Sequence, residues 1–352
     1  MISTIVWLQT AFIGDIVLTS AAINLVHQQR PGIKQWLITT SLGKEVLGDC
    51  PGLSGVLVWE KRGGNPLTGF AEVKSQLSGI SNSATVLLQV HPSFRSSLLA
   101  RYLGFPCIAY KESSGSWLAG TRVKKIAVFH EAQRIALLLE PLGFNRQQIA
   151  TCRPSLTRPP GNQEAGSVYT RLRQLKSQGK RLVALAPGSV WGTKRWLPAY
   201  FSALASKLGS DPQLIVVFLG SKQEGALVDE IIGGIPPSAA SSETWLNLAG
   251  KTTIGELKSI FNEFSLVVSG DSSPVHFASA YNVPTVAIFG ATVAPMGFGP
   301  LAAHQQVLEH PSLPCRPCSD HGPQRCPRRH FRCMTEVSVA QVYTACLALL
   351  KK

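Results

Sequence analysis

The stretch that most constrains the fold runs from Leu266 to Gly290. An apolar run ends in Ser-Gly-Asp-Ser-Ser, and Pro274 then begins a helical pattern with apolar residues on one face. An Asn-Val-Pro sequence stops this helix, and Thr285–Phe289 is typical of a second buried strand. This order predicts a parallel βαβ unit with Asp271 at the carboxyl edge of the sheet, beside a helix N-terminus. Such edges bind anionic ligands, although many strand–turn–helix junctions of this composition bind nothing.

Length and composition favour two globular domains. The chain has 352 residues, which exceeds the usual size of a single core, and 45% of them are hydrophobic. Its 34 Lys and Arg residues against 20 Asp and Glu give a formal charge of +14, and both halves of the chain are basic. Nucleic acid, an anionic membrane surface and phosphorylated substrates are all partners that fit this charge. A generally basic surface explains it equally well.

The apolar beginning of the chain predicts a buried strand and a helix. A signal peptide would need a basic first region, which is absent, and Gln9 and Gly14-Asp15 interrupt the apolar run. No later stretch reaches the roughly eighteen uninterrupted apolar residues that a membrane span requires. We therefore expect a soluble, intracellular protein.

Short apolar runs alternate with helix-length segments along both halves of the chain, which predicts doubly wound parallel sheets. A cluster of Pro and Gly between Arg153 and Gly166 predicts an interdomain linker. The expected fold is α/β, with two Rossmann-like domains facing each other across a cleft. The predicted boundaries are residues 1–160, residues 161–337 with a cysteine-rich insert at 310–334, and a last helix at 338–352.

Few residues remain for chemistry once the common motifs are excluded. The sequence contains no Walker motif, no G-x-G-x-x-G after a strand and no G-x-S-x-G elbow. Asp15 follows the first strand, Lys194 follows a strand of the second half, and Asp271-Ser272-Ser273 precedes a helix. Each has a structural interpretation as well: Asp15 as a helix cap, and Lys194 as a solvated surface lysine.

In this arrangement the chain resembles glycosyltransferase family 9, the ADP-heptose:lipopolysaccharide heptosyltransferases, over nearly its whole length. The segments that carry the resemblance are Gly14–Thr19, Pro187–Ser189 with Lys194–Pro198, Ser269–Ala278 and Pro284–Gly290. The resemblance implies a GT-B fold, an N-terminal acceptor domain, a C-terminal nucleotide-sugar domain and a last helix that returns to the first domain. It also implies inversion at the anomeric carbon without a catalytic metal.

The resemblance further implies roles for individual residues. Asp15 matches the catalytic base, and Lys194 matches the lysine that neutralises the departing diphosphate. The implied donor-binding residues are phosphate-contacting Ser189, Ser272 and Ser273, sugar-contacting Asp271, and Glu224, a candidate for the ribose. His276 is grouped with them, although a histidine on such a helix is more often a satisfied core residue.

One departure from the family pattern concerns the phosphate loop. The family commonly shows Asp-Thr/Ser-Gly, whereas this chain has Asp271-Ser272-Ser273-Pro274. The missing glycine removes close backbone approach and the proline removes one donor, so we expect a displaced loop and leave open a donor sugar other than heptose.

Four cysteines, at C-x2-C-x7-C-x6-C spacing, form the insert: Cys315, Cys318, Cys326 and Cys333. A structural zinc site is one interpretation, although the later spacings fit no standard zinc ribbon; free or partly paired thiols are the other. Disulfides are not expected in a reducing cell. Five arginines against Asp320 make this segment locally basic.

The resemblance implies transfer of heptose, or a related sugar, from an ADP-sugar to the lipopolysaccharide inner core. The acceptor is expected to be an anionic lipid-linked oligosaccharide, met at the inner face of the cytoplasmic membrane by a peripheral cytoplasmic enzyme. A nucleotide-sugar epimerase of the same fold is the alternative enzyme. A basic nucleic-acid-binding protein is the non-enzymatic alternative, but no recognised nucleic-acid module is present, so no nucleic-acid partner is expected.

Overall fold

The computed structural model describes residues 2–60, 66–80, 84–158, 167–236 and 244–351, with side chains of the second range from residue 68 onward. The chain divides into two compact units, residues 1–157 and residues 158–352. Each has its own parallel sheet. Most of the predicted linker at 153–166 lies outside the described residues.

The N-terminal unit contains a six-stranded parallel sheet in the order β3-β2-β1-β4-β5-β6. Its strands are β1 (Thr4–Leu8), β2 (Lys34–Thr39), β3 (Gly55–Val58), β4 (Thr85–Gln89), β5 (Cys107–Tyr110) and β6 (Thr121–Val123). Its helices are α1 (Ile13–Gln29), α2 (Ser41–Leu47), α3 (Pro66–Gln76), α4 (Phe94–Leu103), α5 (Glu131–Ala136) and α6 (Arg146–Thr151). A 3₁₀ turn at Ser116–Leu118 follows β5.

The C-terminal unit repeats this plan with a six-stranded sheet in the order β12-β11-β10-β7-β8-β9. Its strands are β7 (Arg181–Ala186), β8 (Leu214–Phe218), β9 (Trp245–Asn247), β10 (Phe264–Gly270), β11 (Thr285–Phe289) and β12 (Gln305–Glu309). Its helices are α7 (Ser167–Ser177), α8 (Pro198–Gly209), α9 (Gly225–Gly233), α10 (Ile254–Phe261), α11 (Ser273–Ala280), α12 (Arg332–Thr335) and α13 (Val339–Leu350). Both units therefore have the Rossmann strand order, and the predicted α/β fold class is confirmed.

The central strands form because their sequences are apolar on both faces. Every residue of β1, β4, β8 and β11 is buried, as expected for parallel strands covered by helices on two sides. Polar groups in this interior are satisfied: the indole of Trp7 donates to Gln35 Oε1 at 2.9 Å, and Gln35 Nε2 donates to backbone carbonyls. The strand ends are therefore fixed in place, which positions the loops that follow them.

The last helix, α13, packs within its own unit, and its return to the first domain stays a prediction. Helix α13 packs against α8, β10, β11 and β12 within the C-terminal unit. Its buried residues Val342, Ala345, Cys346 and Leu349 form one stripe and join the core that contains Val268. Such a stripe requires a sheet to cover it, and the nearest sheet in the chain meets this need.

Within the described residues, no helix has both the length and the apolar content needed to cross a membrane.

Candidate functional site

Four neighbouring strands of the C-terminal unit bring polar residues to one edge. Ser189 follows β7, Glu224 follows β8, Asp271 follows β10 and Thr292 follows β11, and these strands are adjacent in the order β11-β10-β7-β8. Because all four strands are parallel, their carboxyl ends meet at the same edge. The strand order reverses between β7 and β10, and this position is here called the switch point. Folds of this kind bind their ligands at the switch point.

An ion pair lies at the centre of this edge. The Lys194 ammonium lies 2.7 Å from Asp271 Oδ2, and their side chains are only 12% and 7% exposed. The Thr292 hydroxyl donates to the same carboxylate oxygen at 2.7 Å. Two of the residues predicted from sequence are thus brought into direct contact. Lys194 retains further N–H donors that can hold an anion.

Gly270 explains how the Lys194 loop comes so close to β10. A Cβ at residue 270 would lie 2.6 Å from the carbonyl oxygen of Lys194, a distance that real Cβ atoms essentially never show. Since the obstructing atom belongs to the backbone, no side-chain rotation relieves this contact. The glycine is therefore what permits the approach of Lys194 to Asp271.

The N-terminus of α11 lies next to Asp271. Ser272 is the N-cap in extended conformation, and its side chain makes no capping bond to the first turn. Instead, its hydroxyl lies 3.1 Å from Ser269 Oγ. Ser273 and the proline after it begin the helix, so backbone N–H groups and the positive end of the helix dipole face this edge.

Ser189 and Glu224 lie together on the other side of the switch point. A Cβ at Gly188 would lie 1.9 Å from Glu224 Oε1, so the carboxylate covers the turn that leads into Ser189. Glu224 Oε2 accepts hydrogen bonds from the Ser221 backbone at 2.7 Å and from its hydroxyl at 2.9 Å. The buried Ser189 accepts from Trp191 N at 3.3 Å. The capping box of Ser221 and Glu224 holds this carboxylate beside the turn that leads into Ser189.

His276, a predicted donor-binding residue, lies on the buried face of α11. It is 5% exposed, and its ring lies 6.2 Å from that of Phe298. This burial agrees with a packed histidine. A contact between His276 and a donor stays a prediction.

The cysteine-rich segment supports the loop that carries Lys194. The Gln324 side chain accepts from Gly192 N at 3.1 Å and donates to Val190 O at 2.9 Å. Thr193 N donates to Pro323 O at 3.2 Å, and the Thr193 side chain bonds to the same oxygen. The segment thus forms one wall of the candidate site.

Arg316 fastens this segment to the end of β11. The Arg316 side chain is only 5% exposed. Its guanidinium donates hydrogen bonds to Thr292 O at 2.8 Å, to His310 O at 2.7 Å and to Gly290 O. It forms an ion pair with Glu309 Oε2 at 2.7 Å. Arg316 therefore positions the backbone of Thr292, whose hydroxyl contacts Asp271.

The four predicted metal ligands are close enough to influence one another. Burial raises the pKa of Cys333 to about 11, and the pKa of Cys318 is also raised, first by burial and then by Cys315 and Cys326. However, among the described residues no three His, Cys, Asp or Glu side chains are grouped so that they could hold a metal ion. Cys315 Sγ instead lies 3.8 Å from His330 Nε2. The zinc site stays a prediction.

Asp15 lies in the N-terminal unit, in the first turn of α1 after β1. It is half-buried, and its backbone carbonyl accepts from Thr19 Oγ1 at 2.8 Å. Burial raises the pKa of Tyr110, the last residue of β5, well above its usual value, and the charges of Glu131, Glu112 and Asp15 add smaller contributions. The Thr10 hydroxyl lies 3.1 Å from His91 Nδ1 and joins the ends of β1 and β4.

Sequence reasoning missed Thr292, Arg316 and the pair of Thr10 and His91. The signal for Thr292 was its place just beyond β11, three residues after Phe289, and His91 likewise lies two residues after the end of β4. Arg316 gave no separate signal because it was one of five arginines in the insert.

Comparison with known proteins identifies the family. The sequence profile of glycosyltransferase family 9 (heptosyltransferase) matches residues 76–325. Lipooligosaccharide heptosyltransferase 2 of Campylobacter jejuni subsp. jejuni is 33% identical over 174 residues, which cover 49% of this chain and 52% of that protein. The chain thus spans about half the length of this curated relative.

Two solved structures share the fold. A glycosyl transferase family 9 protein from Veillonella parvula superimposes with a TM-score of 0.81 at 20% identity, over 99% of this chain and 97% of that one. The E. coli ADP-heptose lps heptosyltransferase II gives 0.75 at 18% identity, over 99% and 98%. The GT-B fold class expected from the sequence is confirmed by this likeness. With its profile match over most of its length, the chain belongs to glycosyltransferase family 9.

Proposed function

We propose that this protein is a heptosyltransferase that moves heptose from ADP-heptose to the inner core of lipopolysaccharide. Membership of the family supports transfer of a sugar, and the likeness to heptosyltransferases supports heptose. The shared fold with the E. coli ADP-heptose lps heptosyltransferase II supports an ADP-linked donor.

The observation that carries this proposal is the anion-binding character of the edge around Lys194. An ammonium with spare donors, a half-buried helix N-terminus at Ser272 and Ser273, and the turn at Ser189 all lie at the switch point of one sheet. This combination suits the diphosphate of a nucleotide sugar. Glu224, next to Ser189, suits the ribose, and Asp271 suits a sugar hydroxyl.

The proposed reaction forms one bond and breaks one bond at the anomeric carbon. The acceptor hydroxyl oxygen attacks this carbon as its bond to the diphosphate oxygen breaks, and the electron pair leaves with ADP. Asp15 takes the proton of the attacking hydroxyl. Lys194 and the N-terminus of α11 stabilise the charge that develops on the diphosphate. Attack opposite the leaving group inverts the configuration.

In this proposal the charge on the leaving group is balanced by protein groups and not by a catalytic metal. Transfer that continues undiminished in EDTA would support this statement, and loss of transfer that Mg²⁺ restores would overturn it. Metal analysis of the purified protein separately tests the predicted zinc site, since one zinc per chain requires the four cysteines to converge on binding.

We further propose that the protein works at the inner face of the cytoplasmic membrane, as a peripheral and not a spanning protein. The acceptor would be an anionic lipid-linked oligosaccharide, and the formal charge of +14 suits both the acceptor and the leaflet that presents it. No role for nucleic acid is proposed.

Two substitutions test the assigned roles. Asp15→Ala should abolish transfer to a heptose-deficient lipopolysaccharide acceptor, yet leave ADP affinity nearly unchanged, because its role concerns the acceptor. Lys194→Ala should weaken both, with at least about tenfold lower ADP affinity if the ammonium holds the diphosphate. Calorimetry measures ADP binding, and ADP release in the presence of acceptor measures transfer.

Undiminished turnover by the Asp15 variant would rule out its assigned role.

Incubation with nucleotide sugar alone provides the second test, because a transferase leaves the donor sugar unchanged without acceptor. Conversion of the donor sugar to an epimer under these conditions would instead identify a nucleotide-sugar epimerase.

A further inference from the structure

The N-terminal unit carries an apolar surface that its own core does not use. Its five members are the exposed side chains of Phe12 (58%), Leu42 (54%), Phe94 (46%), Leu98 (41%) and Trp117 (70%), here called the edge patch. Among the described residues, seven of the eight large hydrophobic side chains classed as exposed belong to this unit. Their distribution is therefore strongly uneven between two units of the same fold.

Topology brings the edge patch together. Phe12 follows β1, Leu42 follows β2, Phe94 follows β4 and Trp117 follows β5, and these four strands are neighbours in the parallel sheet. Their carboxyl ends therefore meet at one edge. Leu98 lies one turn further along α4, on the same face as Phe94.

Contacts between the loops confirm this neighbourhood. Ser114 N donates to Pro92 O at 3.1 Å, which ties the loop after β5 to the start of α4. Ser97 Oγ donates to Ser114 O at 2.7 Å. A Cβ at Gly115 would lie 2.8 Å from the ring of Phe94, so the turn that carries Trp117 begins against that ring.

The charge around the edge patch indicates which partner it suits. Residues 91–130 contain six Lys and Arg residues but a single acidic residue, Glu112. Arg95, Lys111 and Lys124 are exposed and follow β4, β5 and β6 at the same edge. An exposed tryptophan and phenylalanine framed by basic side chains match the interface of an anionic bilayer, where aromatic rings sit at head-group depth. A protein partner would instead need acidic side chains on its own surface, as closely spaced as the basic side chains around the edge patch.

We propose that the edge patch docks the N-terminal unit on an anionic lipid surface. This inference rests on the proposed function, because the proposed acceptor is anchored in the lipid surface to which the edge patch would bind. Asp15 lies in the first turn of α1, three residues after Phe12, so the docked edge holds the proposed base near the head groups. Neither donor nor acceptor is needed for docking itself.

The test measures binding to vesicles without any substrate. Vesicles of phosphatidylcholine with about one third phosphatidylglycerol should bind the protein, whereas phosphatidylcholine alone should bind it much more weakly, and salt should weaken the binding. The double variant Phe94→Ser/Trp117→Ser should lower partitioning roughly tenfold or more, because two aromatic rings leave the interface. Flotation of the full chain provides the measurement.

Tyr102→Ser is the matched control. Tyr102 lies on the same helix and is similarly exposed, at 40%, but it is two turns further from the edge, against Phe70. It should leave vesicle binding within about twofold of wild type. Circular dichroism and thermal melting establish that each variant is folded.

Equal vesicle binding by the double variant and the wild type would overturn the proposal. So would a loss of binding explained by dissociation of a dimer, which sedimentation detects, because the edge patch would then be an interface between copies. Transfer to a lipid-free oligosaccharide acceptor separates the two proposals. A double variant that retains this transfer but loses vesicle binding supports both, whereas vesicle binding without any transfer by the wild type overturns the proposed function alone.

Discussion

Asp271→Asn is the substitution that best tests how the candidate site handles charge. The Asp271 carboxylate lies 2.7 Å from the Lys194 ammonium and accepts from Thr292 at 2.7 Å. Asparagine keeps the shape of the side chain and an oxygen that can accept from Thr292. It removes the negative charge that now neutralises the lysine. If Lys194 holds the donor diphosphate, the variant should bind ADP more tightly than the wild type.

The magnitude follows from the geometry. When one ammonium bridges a carboxylate and a phosphate, their charges lie roughly 5 Å apart and repel each other by about 3 kcal/mol at an effective dielectric constant of about 20. Water and salt reduce this value, because the Lys194 side chain is still 12% exposed. We expect a gain of about 1.4 to 2.8 kcal/mol, which corresponds to roughly ten- to hundredfold tighter ADP binding.

Calorimetric titration with ADP at low and at high salt measures this gain. Thr292→Val is the matched control, since it removes a hydrogen bond to the same oxygen but keeps the charge, and it should leave the salt dependence of ADP binding unchanged. Transfer by the Asp271 variant should fall despite the tighter binding, because Asp271 is assigned to the sugar. Unchanged or weaker ADP binding by this variant would refute the placement of the diphosphate on Lys194.

Three further predictions concern the support of this site. Gly270→Ala should weaken ADP binding roughly tenfold, because the added methyl group displaces the Lys194 loop. Gly225→Ala is the control and should not weaken binding, because nothing lies within 4 Å of a Cβ added there. Equal ADP affinities of the two variants in calorimetry would contradict the steric argument. Arg316→Met should lower the free energy of unfolding of the C-terminal unit by about 2–4 kcal/mol, because it leaves buried carbonyl groups without a hydrogen-bond donor. Hydrogen exchange of the β11 amides measures this loss, and protection equal to that of the wild type would contradict the prediction. Burial raises the pKa of Cys346 from 9.0 to about 12, so its contribution to stability is complete below pH 9 and is lost as pH rises towards 12. Denaturant unfolding of Cys346→Ala at pH 8 and pH 10 should therefore show a smaller alkaline loss than wild type, and an equal loss would refute the assignment.

The sequence predicted the sheet edges well because both units are parallel sheets. Fully buried strands read as continuous apolar runs, and the residue at which the run stops marks the edge where ligands bind. Asp15, Lys194 and Asp271 were selected in this way, and the structure places Lys194 against Asp271.

Other features depend on contacts between segments that no local pattern encodes. The need for glycine at residue 270 comes from a carbonyl of the Lys194 loop, and Arg316 acts through carbonyls of the β11 end. For α13 the apolar stripe predicted a buried face, but a stripe specifies only that a sheet must cover it. The core around Val268 shows which sheet does so.

The two units show that strand order alone does not decide what an edge binds. Both have the same Rossmann order, and in both the loops that follow four central strands meet at one edge. In the C-terminal unit these ends carry serines and a nearly buried ion pair, which suit a compact anion. In the N-terminal unit they carry Phe12, Leu42, Phe94 and Trp117, which suit an amphipathic surface. Because the backbone plan is shared, this difference comes from side chains just beyond the strands, and exchanging those side chains should exchange binding preference without changing the fold.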